Sequence, residues 1–560
     1  MYIRRLMLAM FAAMAANAVS ADISGSVYRD YNANGIDDGS LEPGIAGVVV
    51  NAYDANGMVT GSSPQLSDAN GNYNLTGITG SVRLEFTLPA DNSLDFLAPG
   101  ASGNTTVIFA NDGDTTAVGF NNPAQFCQSN PRVSTSCYVN GDPDSLNAPH
   151  DTVVSFFNNA TNKGTIGVKQ DTGAVWGLAY DSELDYLYIS SVVKRHVGLG
   201  AAGPGAIYLL TNATANAPPA ATELYDFTDF GISVGTVPSN AVRGLTGASP
   251  TTANHDAPTF DLVGKTGLGD IELSDDNLDL FVVNLADRLV YQINPLDPLS
   301  APNPLPAYPN HNSASCTNGV ARPWALNVHD GDLYLGVVCS AENVGGNASH
   351  LTASVYRYDG SAWTTAIDQF ALNYPREDPY PGQPGAWNPW GDAITDFITP
   401  SSSGENFFSR PSPMLTDLQF DSSGNLILGI TDRTSMQTGA RNYGTNTSNT
   451  SATFYAVTGG DILRSTPNGD GTFSVENIVN PNDEFYGGDE FPAPGEEHRE
   501  THLGGLAHLF GSNEMLMTAI DPERLDSGGI YWLSNSNGSK LRDLELYRGA
   551  AGNGFFGKSA

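Results

Sequence analysis

One unit of strand, short polar turn and strand recurs along this chain, and that recurrence limits the folds open to it more than any other feature. Its clearest copy is Gly267–Asn294, GLGDIELSDDNLDLFVVNLADRLVYQIN. Read in twos, Ile271 and Leu273 share one face, and a polar turn follows at Ser274–Asn277. Leu278, Leu280 and Val282 form the next run, with Phe281 and Val283 on the other face, and Leu289–Ile293 forms a third after Asp287-Arg288. Alternation at period two with β-branched and aromatic residues is strand chemistry, and the polar breaks are hairpins. Four more copies share the same plan: Gly177–Ser190 with Gly205–Leu210, Ala325–Val338 with Ser354–Gly360, Asp417–Thr431 with Gly460–Thr466, and Leu506–Ala519 with Gly528–Gly538. Irregularly spaced copies predict a β-propeller with long loop insertions, six blades preferred and seven the alternative. A single sandwich would not explain a third strand of the same form after every pair.

The balance of charge narrows the partners. Lys and Arg number 25 against 60 Asp and Glu, a formal charge of -35, which repels the phosphates of nucleic acid and of anionic membranes. It suits cations, and equally an acidic surface adapted to a salty medium. Met1–Ala21 reads MYIRRLMLAMFAAMAANAVSA, with Arg4-Arg5, an apolar core at Leu6–Ala16 and small residues at Val19-Ser20-Ala21. That is a secretory signal peptide over residues 1–21, with cleavage after Ala18 as the alternative. Its apolar run is too short to span a bilayer, and no later stretch reaches the length needed. The expectation is therefore a secreted or cell-surface protein without membrane insertion. Four cysteines in such a chain suggest disulfides, most simply Cys127–Cys137 and Cys316–Cys339, with free buried thiols as the alternative.

Residues 22–120 differ from the downstream chain, containing no Cys, Trp or Lys. Short strands at Ile23–Tyr28, Val48–Tyr53, Tyr73–Leu75, Val82–Leu88 and Thr106–Ala110, with DANG turns at Asp54–Gly57 and Asp68–Gly71, predict a small antiparallel β-sandwich. Within it Asp30–Glu42, DYNANGIDDGSLE, sets Asp30, Asn32 and Asn34 at alternate positions, then Gly35, then Asp38 and Glu42. Ca²⁺ takes hard oxygen ligands, and a D-x-N-x-N-G loop wraps them around one ion, with the Ile36 carbonyl as a further donor. The spacing is that of an EF-hand loop through its ninth position, but strands flank it in place of helices. An Asx-rich turn without metal is the alternative.

GSVYRDYNANGIDDGSLEPGIAGVVVNAYD followed by SDANGNYNLTGI (Ser67–Ile78) resembles the B-type domain of bacterial SD-repeat surface proteins. The shared pattern is a strand, D-x-N-x-N-G-x-x-D, then E-P-G-I-x-G-V-x-V, and later T-D-x-x-G-x-Y, with Ser67 here in place of Thr. Extra length between Asp38 and Glu42 departs from it and leaves Glu42 the least secure ligand. The resemblance implies a calcium-stiffened prealbumin-like sandwich acting as a spacer on exported proteins. Related pilin-type sandwiches carry a Lys–Asn isopeptide bond, which the absence of Lys before Lys163 excludes here. VKRHVGLGAAGPGAIY (Val193–Tyr208), GKTGLGDIELS and HRETHLGGLAHL are also similar to the propeller that accompanies such domains. No activity carries over from that resemblance.

Residues 121–150, rich in Pro, Asn and Ser, read as a connector, and 151–560 as the propeller. Three motifs bear on chemistry. Val193–Tyr208 joins Lys194-Arg195-His196 to a Gly-rich stretch, but no GK[ST] follows, so an inter-strand loop is expected over a phosphate cradle. Gly231–Gly235, GISVG, has the G-x-S-x-G spacing of a nucleophile elbow without a helix to follow it. On a strand His498, Glu500 and His502 would point to one side within reach of a metal, with Asp489, Glu490, Glu496 and Glu497 upstream; a polar strand at the channel or loop face is the preferred reading, without catalytic zinc. Asp287-Arg288 and Asp432-Arg433 sit at matching places after blade strands and are expected to serve structural Asp–Arg pairing between strands.

These readings converge on an exported, calcium-binding surface or matrix protein, a sandwich spacer carrying a propeller as interaction platform in adhesion or surface assembly. Its partner would be a protein or glycan, not nucleic acid. The alternative is a calcium-dependent secreted propeller hydrolase of lactonase or phosphoesterase type. Acidic and His side chains converging in the channel would favour the hydrolase, and apolar plugging would favour the platform. The tail FFGKSA (Phe555–Ala560) repeats the LVGKTG of Leu262–Gly267, where a blade strand follows, so the expectation is a fragment or a shortened relative of a longer protein with its propeller incomplete, and chance similarity of a Gly-rich tail is the alternative.

Overall fold

The computed structural model describes residues 21–546 except 32, 34, 40–41, 90–95, 98–105, 122–128, 144–148, 380–381, 395–405, 440, 489–498 and 521–527, without side-chain detail at 96–97 and 406–408. The signal segment, Cys127, Asn32, Asn34, His498 and the FFGKSA tail lie outside the described residues. The chain is all-β and divides into two compact units, Met1–Pro123 and Ala124–Ala560.

In the first unit two four-stranded sheets are built from short alternating strands. One orders Asn72–Leu75, Ile23–Arg29, Thr115–Asn121 and Phe96–Leu97; the other orders Gln65–Leu66, Val49–Tyr53, Ser81–Thr87 and Val107–Asn111. In Ser81–Thr87 the period of two is complete: Val82, Leu84 and Phe86 are buried, while Arg83 and Glu85 pair outside at 2.8 Å. Val27, Val50, Leu75, Leu84 and Val118 from both sheets share one core. The two DANG turns fold identically. Asp54 Oδ1 accepts from the N–H groups of Asn56 and Met58, and Asp68 Oδ1 from those of Asn70 and Asn72. Each closes on a glycine of positive φ, Gly57 at 77° and Gly71 at 76°; at Gly71 a Cβ would stand 2.1 Å from the Val27 carbonyl oxygen.

The second unit places each of the five repeats in its own four-stranded sheet, beginning with Val175–Asp181, Leu268–Leu273, Ala321–His329, Pro413–Phe420 and His502–His508. A three-stranded sheet precedes them: Arg132–Ser136, Asp151–Phe157 and Gly164–Val168. The reading of 121–150 as connector is thereby corrected at Arg132–Ser136, where alternating Val133 and Thr135 were masked by flanking Pro, Asn and Ser. These six sheets pack in chain order. Val153 and Ile166 meet Val175, Leu187 and Ile189; Tyr188 and Ile207 meet Ile271 and Val282; Val283 and Val290 meet Leu326 and Leu335. Val355 and Ile367 meet Leu418 and Leu428, and Ile427 and Ile462 meet Met515 and Met517. Leu516, Ile530 and Trp532 of the sixth sheet then pack on Val154 and Phe156 of the first. Inserted between the fifth sheet's strands are Asn442–Tyr443 and Thr453–Ala456, which pair with each other, and Thr453–Ala456 also pairs with Asn406–Phe408.

Each repeat's first strand carries a register shift, between Val175 and Leu178, Leu268 and Ile271, Pro323 and Leu326, Leu415 and Asp417, and His502 and Leu506. A bulge there re-aims a side chain. Asp270 Oδ2 accepts from Leu326 N at 3.0 Å, and Asp417 Oδ2 from Leu506 N at 2.7 Å, each tying its sheet to the next.

Candidate functional site

In the first unit the Asp30–Glu42 loop leaves the Ile23–Arg29 strand and returns to a bridge between Tyr28 and Gly44. Asp30 is fully buried; its Oδ2 accepts from Gly35 N at 2.7 Å, and its own N–H reaches the Phe120 carbonyl. Gly35 and Ala33 take positive φ, 72° and 52°, which coils the backbone around that carboxylate. Glu42, only 2 % exposed, is drawn in as well: Oε2 accepts from Asp38 N at 2.9 Å, and the buried Oε1 has no hydrogen-bond partner among the described residues. Burial, with Asp30, Asp38 and Asp37 nearby, pushes its carboxyl up to about 7 despite the Asp38 N–H. The same carboxylates, after burial, push the Tyr28 hydroxyl up. Asp38 is exposed, and Ile36 exposes 54 % of its surface. The structure thus brings Asp30, Asp38 and Glu42 to one loop. An orphaned buried carboxylate oxygen within a negative cluster fits a hard cation, for which oxygen donors are the matching chemistry.

In the second unit the first strands of five of the six sheets, all but Ala321–His329, line a cavity of about 290 Å³ whose wall includes Arg132, Trp176, Asp270, Glu272, Asp417 and Gln419. The bulged strands put Asp270 and Glu272 two residues apart on one face. Burial pushes the Asp270 carboxyl up to about 7 against the Leu326 and Ile271 N–H groups. Glu272 is raised well above the carboxylate range by burial and by Asp270, and Asp417 by burial and then Asp270. Three carboxyls that resist losing all their protons are an acid–base or cation-binding set. His508, also on this wall, is not a free base: Nδ1 faces the Glu514 carbonyl at 2.8 Å, Nε2 faces Ser422 Oγ at 3.1 Å, and burial lowers its pKa. Trp176, edge-on to Trp324 at 5.4 Å, gives the cavity an apolar wall. Sequence reasoning missed Asp270, Glu272 and Asp417; the signal available was a carboxylate at the same place in two repeats, GD and TD.

Residues 21–148 match the SdrD B-like domain. The match covers the sandwich and runs past its boundary at Pro123. Beyond the SdrD B-like domain, Colossin-A and Colossin-C of Dictyostelium discoideum are each 24 % identical to this chain over 94 % and 93 % of it. The chain spans 5 % of Colossin-A and 51 % of Colossin-C, and what it shares with the bacterial SD-repeat proteins is the domain. Among solved structures a nidogen/laminin complex aligns with 74 % of this chain and 95 % of its own at 9 % identity and a TM-score of 0.33.

The remaining motifs resolve structurally. Lys194, Arg195 and His196 are buried, and the two cations spend their donors on protein carbonyls. Lys194 Nζ reaches Ser435 O at 2.6 Å; Arg195 reaches the carbonyls of His255, Asp256, Gln437 and Tyr443. Ser233 of GISVG is exposed, its Oγ accepts the local N–H of Gly235, and no helix follows it. Glu500 has φ 60°, which breaks the alternation, and the strand starts at His502. Glu500 therefore faces Arg376, while His502, held neutral with its pKa lowered to about 3 by burial, packs against Gly429. Of the Asp–Arg pairing expected of the two doublets, one ion pair is present among the described residues, from Arg433 to an aspartate of another segment. Asp432 caps the Arg433–Gln437 turn through Thr434 N, Arg433 pairs with Asp392 at 3.1 Å, and Arg288 donates to Ser313 Oγ and the Ala321 carbonyl. Cys316 and Cys339 are disulfide-bonded; Cys137 is buried, and its expected partner lies outside the described residues.

His196 carries a pH prediction. It sits at φ 71°, with Nδ1 on Asn254 Oδ1 at 2.7 Å and its N–H on Asp256 Oδ2, among Lys194, Arg195 and Arg243. Burial, then Arg195, holds its pKa well below the usual value. Below about pH 6.5 the unfolded chain therefore binds a proton that the folded chain refuses, and stability falls by about 1.4 kcal/mol per pH unit from this group. His196→Asn, which tolerates the positive φ, should remove that increment from denaturant titrations run between neutral and mildly acid pH. An identical pH slope in the two proteins would refute the assignment.

Proposed function

We propose that this protein is an exported surface or matrix component in which a calcium-binding sandwich accompanies a six-bladed propeller that serves as an interaction platform. The single observation that carries the calcium reading is the buried Asp30–Glu42 pair with its orphaned Glu42 Oε1. Asp30 and Glu42 would hold the ion from inside, with Asp38 and the Ile36 carbonyl on the exposed side and Asn32 and Asn34 completing the set predicted from the motif. Ca²⁺ supplies there the charge that lets both carboxylates stay ionised in a buried loop, and so stiffens it. The blade reading rests on six sheets packed in chain order with the sixth on the first, around the acid-lined cavity. Export rests on the signal-like leader and the disulfide, and no described helix is long and apolar enough to cross a membrane. The formal charge of -35 supports protein or glycan partners over nucleic acid.

Calcium titration of the full chain tests this reading. Extracellular sites of this chemistry bind at about 10⁻⁴–10⁻³ M, so millimolar Ca²⁺ should stabilise the first unit by roughly 1 kcal/mol, and EGTA should reverse it. Asp30→Ala and Glu42→Gln should each abolish the shift. A melting profile indifferent to Ca²⁺ and chelator sinks the calcium reading.

The cavity favours a second reading, a secreted propeller hydrolase, because Asp270, Glu272 and Asp417 converge there with raised pKa values. Turnover of lactones or phosphoesters that is lost in Glu272→Gln would move the conclusion to the enzyme. Absence of turnover with and without Ca²⁺ leaves the platform.

A further inference from the structure

We propose that Asp461, Glu484 and Glu500 in the second unit hold a divalent cation, Ca²⁺ by the character of their donors. Asp461 opens the Asp461–Pro467 strand, Glu484 follows the short turn Pro481–Asp483, and Glu500 precedes the His502–His508 strand. One carboxylate oxygen from each lies within 4.8 Å of the others. Oxygens on opposite sides of a Ca²⁺ ion, each at about 2.4 Å, stand about 4.8 Å apart, so the separations are within the span that one shared ion bridges. All three donors are hard, and neither imidazole nor thiolate is among them, which selects against zinc and copper.

What separates this cluster from an ordinary ion pair is how its hydrogen bonds are distributed. Arg376, fully buried and lying over the Trp387 ring at 3.8 Å, donates to the carbonyls of Gly385, Gly459 and Gly460, to Glu500 Oε2 at 2.5 Å and to Asp461 Oδ2 at 3.3 Å. Glu500 Oε1 takes the N–H of Glu377 at 2.7 Å, and Asp461 Oδ2 also takes the Tyr374 hydroxyl. Asp461 Oδ1 accepts from no donor among the described residues, although Asp461 is wholly buried. A carboxylate oxygen stripped of water and given no donor is costly, and one guanidinium cannot neutralise both Asp461 and Glu500. A divalent ion on the Oδ1 side answers both deficits. The site would tie together three successive sheets of the ring, since Arg376 follows the last strand of the fourth, Asp461 lies in the fifth and Glu500 leads into the sixth.

Terbium luminescence of the full chain reads this site. Tb³⁺ replaces Ca²⁺ at oxygen sites and emits when a neighbouring aromatic ring transfers excitation to it. Trp387 Nε1 lies 3.1 Å from the Tyr374 hydroxyl that bonds Asp461, whereas residues 22–120 contain no Trp. After EGTA treatment, Trp-selective excitation should give saturable Tb³⁺ emission that Ca²⁺ displaces. Asp461→Asn should weaken Ca²⁺ competition by about tenfold or more and lower bound Ca²⁺ by one equivalent in calorimetry, while Glu42→Gln leaves the emission intact. Should Asp461→Asn fail to fold, Glu484→Gln at the half-buried ligand makes the same demand. No Trp-sensitised emission, or emission that survives both variants, overturns the site. Emission lost instead in Glu272→Gln would assign the ion to the central cavity and overturn it equally. Absence of any Ca²⁺ equivalent that depends on Glu42 would count against the sandwich reading alone and leave this one standing.

Discussion

Arg433→Met should destabilise the second unit by about 3–5 kcal/mol through lost carbonyl hydrogen bonds and the lost contact with Trp390, the largest effect expected of any single substitution away from the proposed metal sites. Arg433 is fully buried. Nε donates to the Val263 carbonyl at 2.9 Å, Nη1 to Gly391 at 2.7 Å, and Nη2 to Asp261 at 3.2 Å and Asp392 Oδ1 at 3.1 Å. The guanidinium also lies over the Trp390 ring at 4.6 Å. Burial pulls its pKa down to about 10 although Asp392 and Glu342 pull the other way, so it stays charged at neutral pH. Methionine fills the same apolar channel but strands the Val263 and Asp261 carbonyls, each costing about 1–3 kcal/mol when no donor replaces the lost one, whereas Gly391 keeps Gln437 Nε2 at 3.0 Å and the half-exposed Asp392 keeps Lys265 at 2.8 Å. Lysine keeps the charge and cannot span the fork, so Arg433→Lys should recover only part of the loss. Arg499→Met is the control, since its pair with Glu377 at 2.6 Å leaves the arginine 35 % exposed, and exposed pairs contribute about 1 kcal/mol or less. Urea unfolding compares the three. A loss below that of the control would mean that the Arg433 network rearranges freely.

Opening the Cys316–Cys339 bond should lower stability by about 3 kcal/mol, because the bond closes a loop of 23 residues and restricts the unfolded chain. Cys339 ends the Asp332–Cys339 strand and both cysteines are buried, Cys316 at 6 % and Cys339 at 4 %, so the bond fixes the loop ahead of Ala321–His329 to the fourth sheet. Reductant should lower the melting temperature of the wild type and leave that of Cys316→Ala/Cys339→Ala unmoved at the lower value. If thiol titration shows the bond open while the melting temperature holds, the loop is ordered by its own contacts, and the entropic argument fails.

What the sequence by itself determined is local. Alternation at period two marked the strands of five sheets, because a strand's burial pattern is written in consecutive residues. Leu280 and Val282 are buried and Phe281 is not, as the spacing requires. The two DANG turns were legible for the same reason, an aspartate oxygen reaching N–H groups two and four residues on. Asp30 and Glu42 were legible as candidate ligands from type and order alone, while the burial of both and the orphaned Oε1 were not. Tertiary structure decided everything that joins distant segments. Arg132–Ser136 became a strand because Asp151–Phe157 lay beside it, not through its own composition. Lys194 and Arg195 read only as part of an inter-strand loop, and Arg433 as a partner for aspartate; all three are buried, because carbonyls scattered across loops far apart in sequence need donors there. Glu500 looked like a companion of His502 and instead faces Arg376 and Asp461, since its positive φ turns it off the strand's face. The carboxylates of the cavity, Asp270, Glu272 and Asp417, meet only when separate sheets bring their first strands together. Their raised pKa values come from that closure: desolvation and mutual repulsion depend on what surrounds a residue, and in this chain the surroundings are supplied by segments dozens to hundreds of residues away.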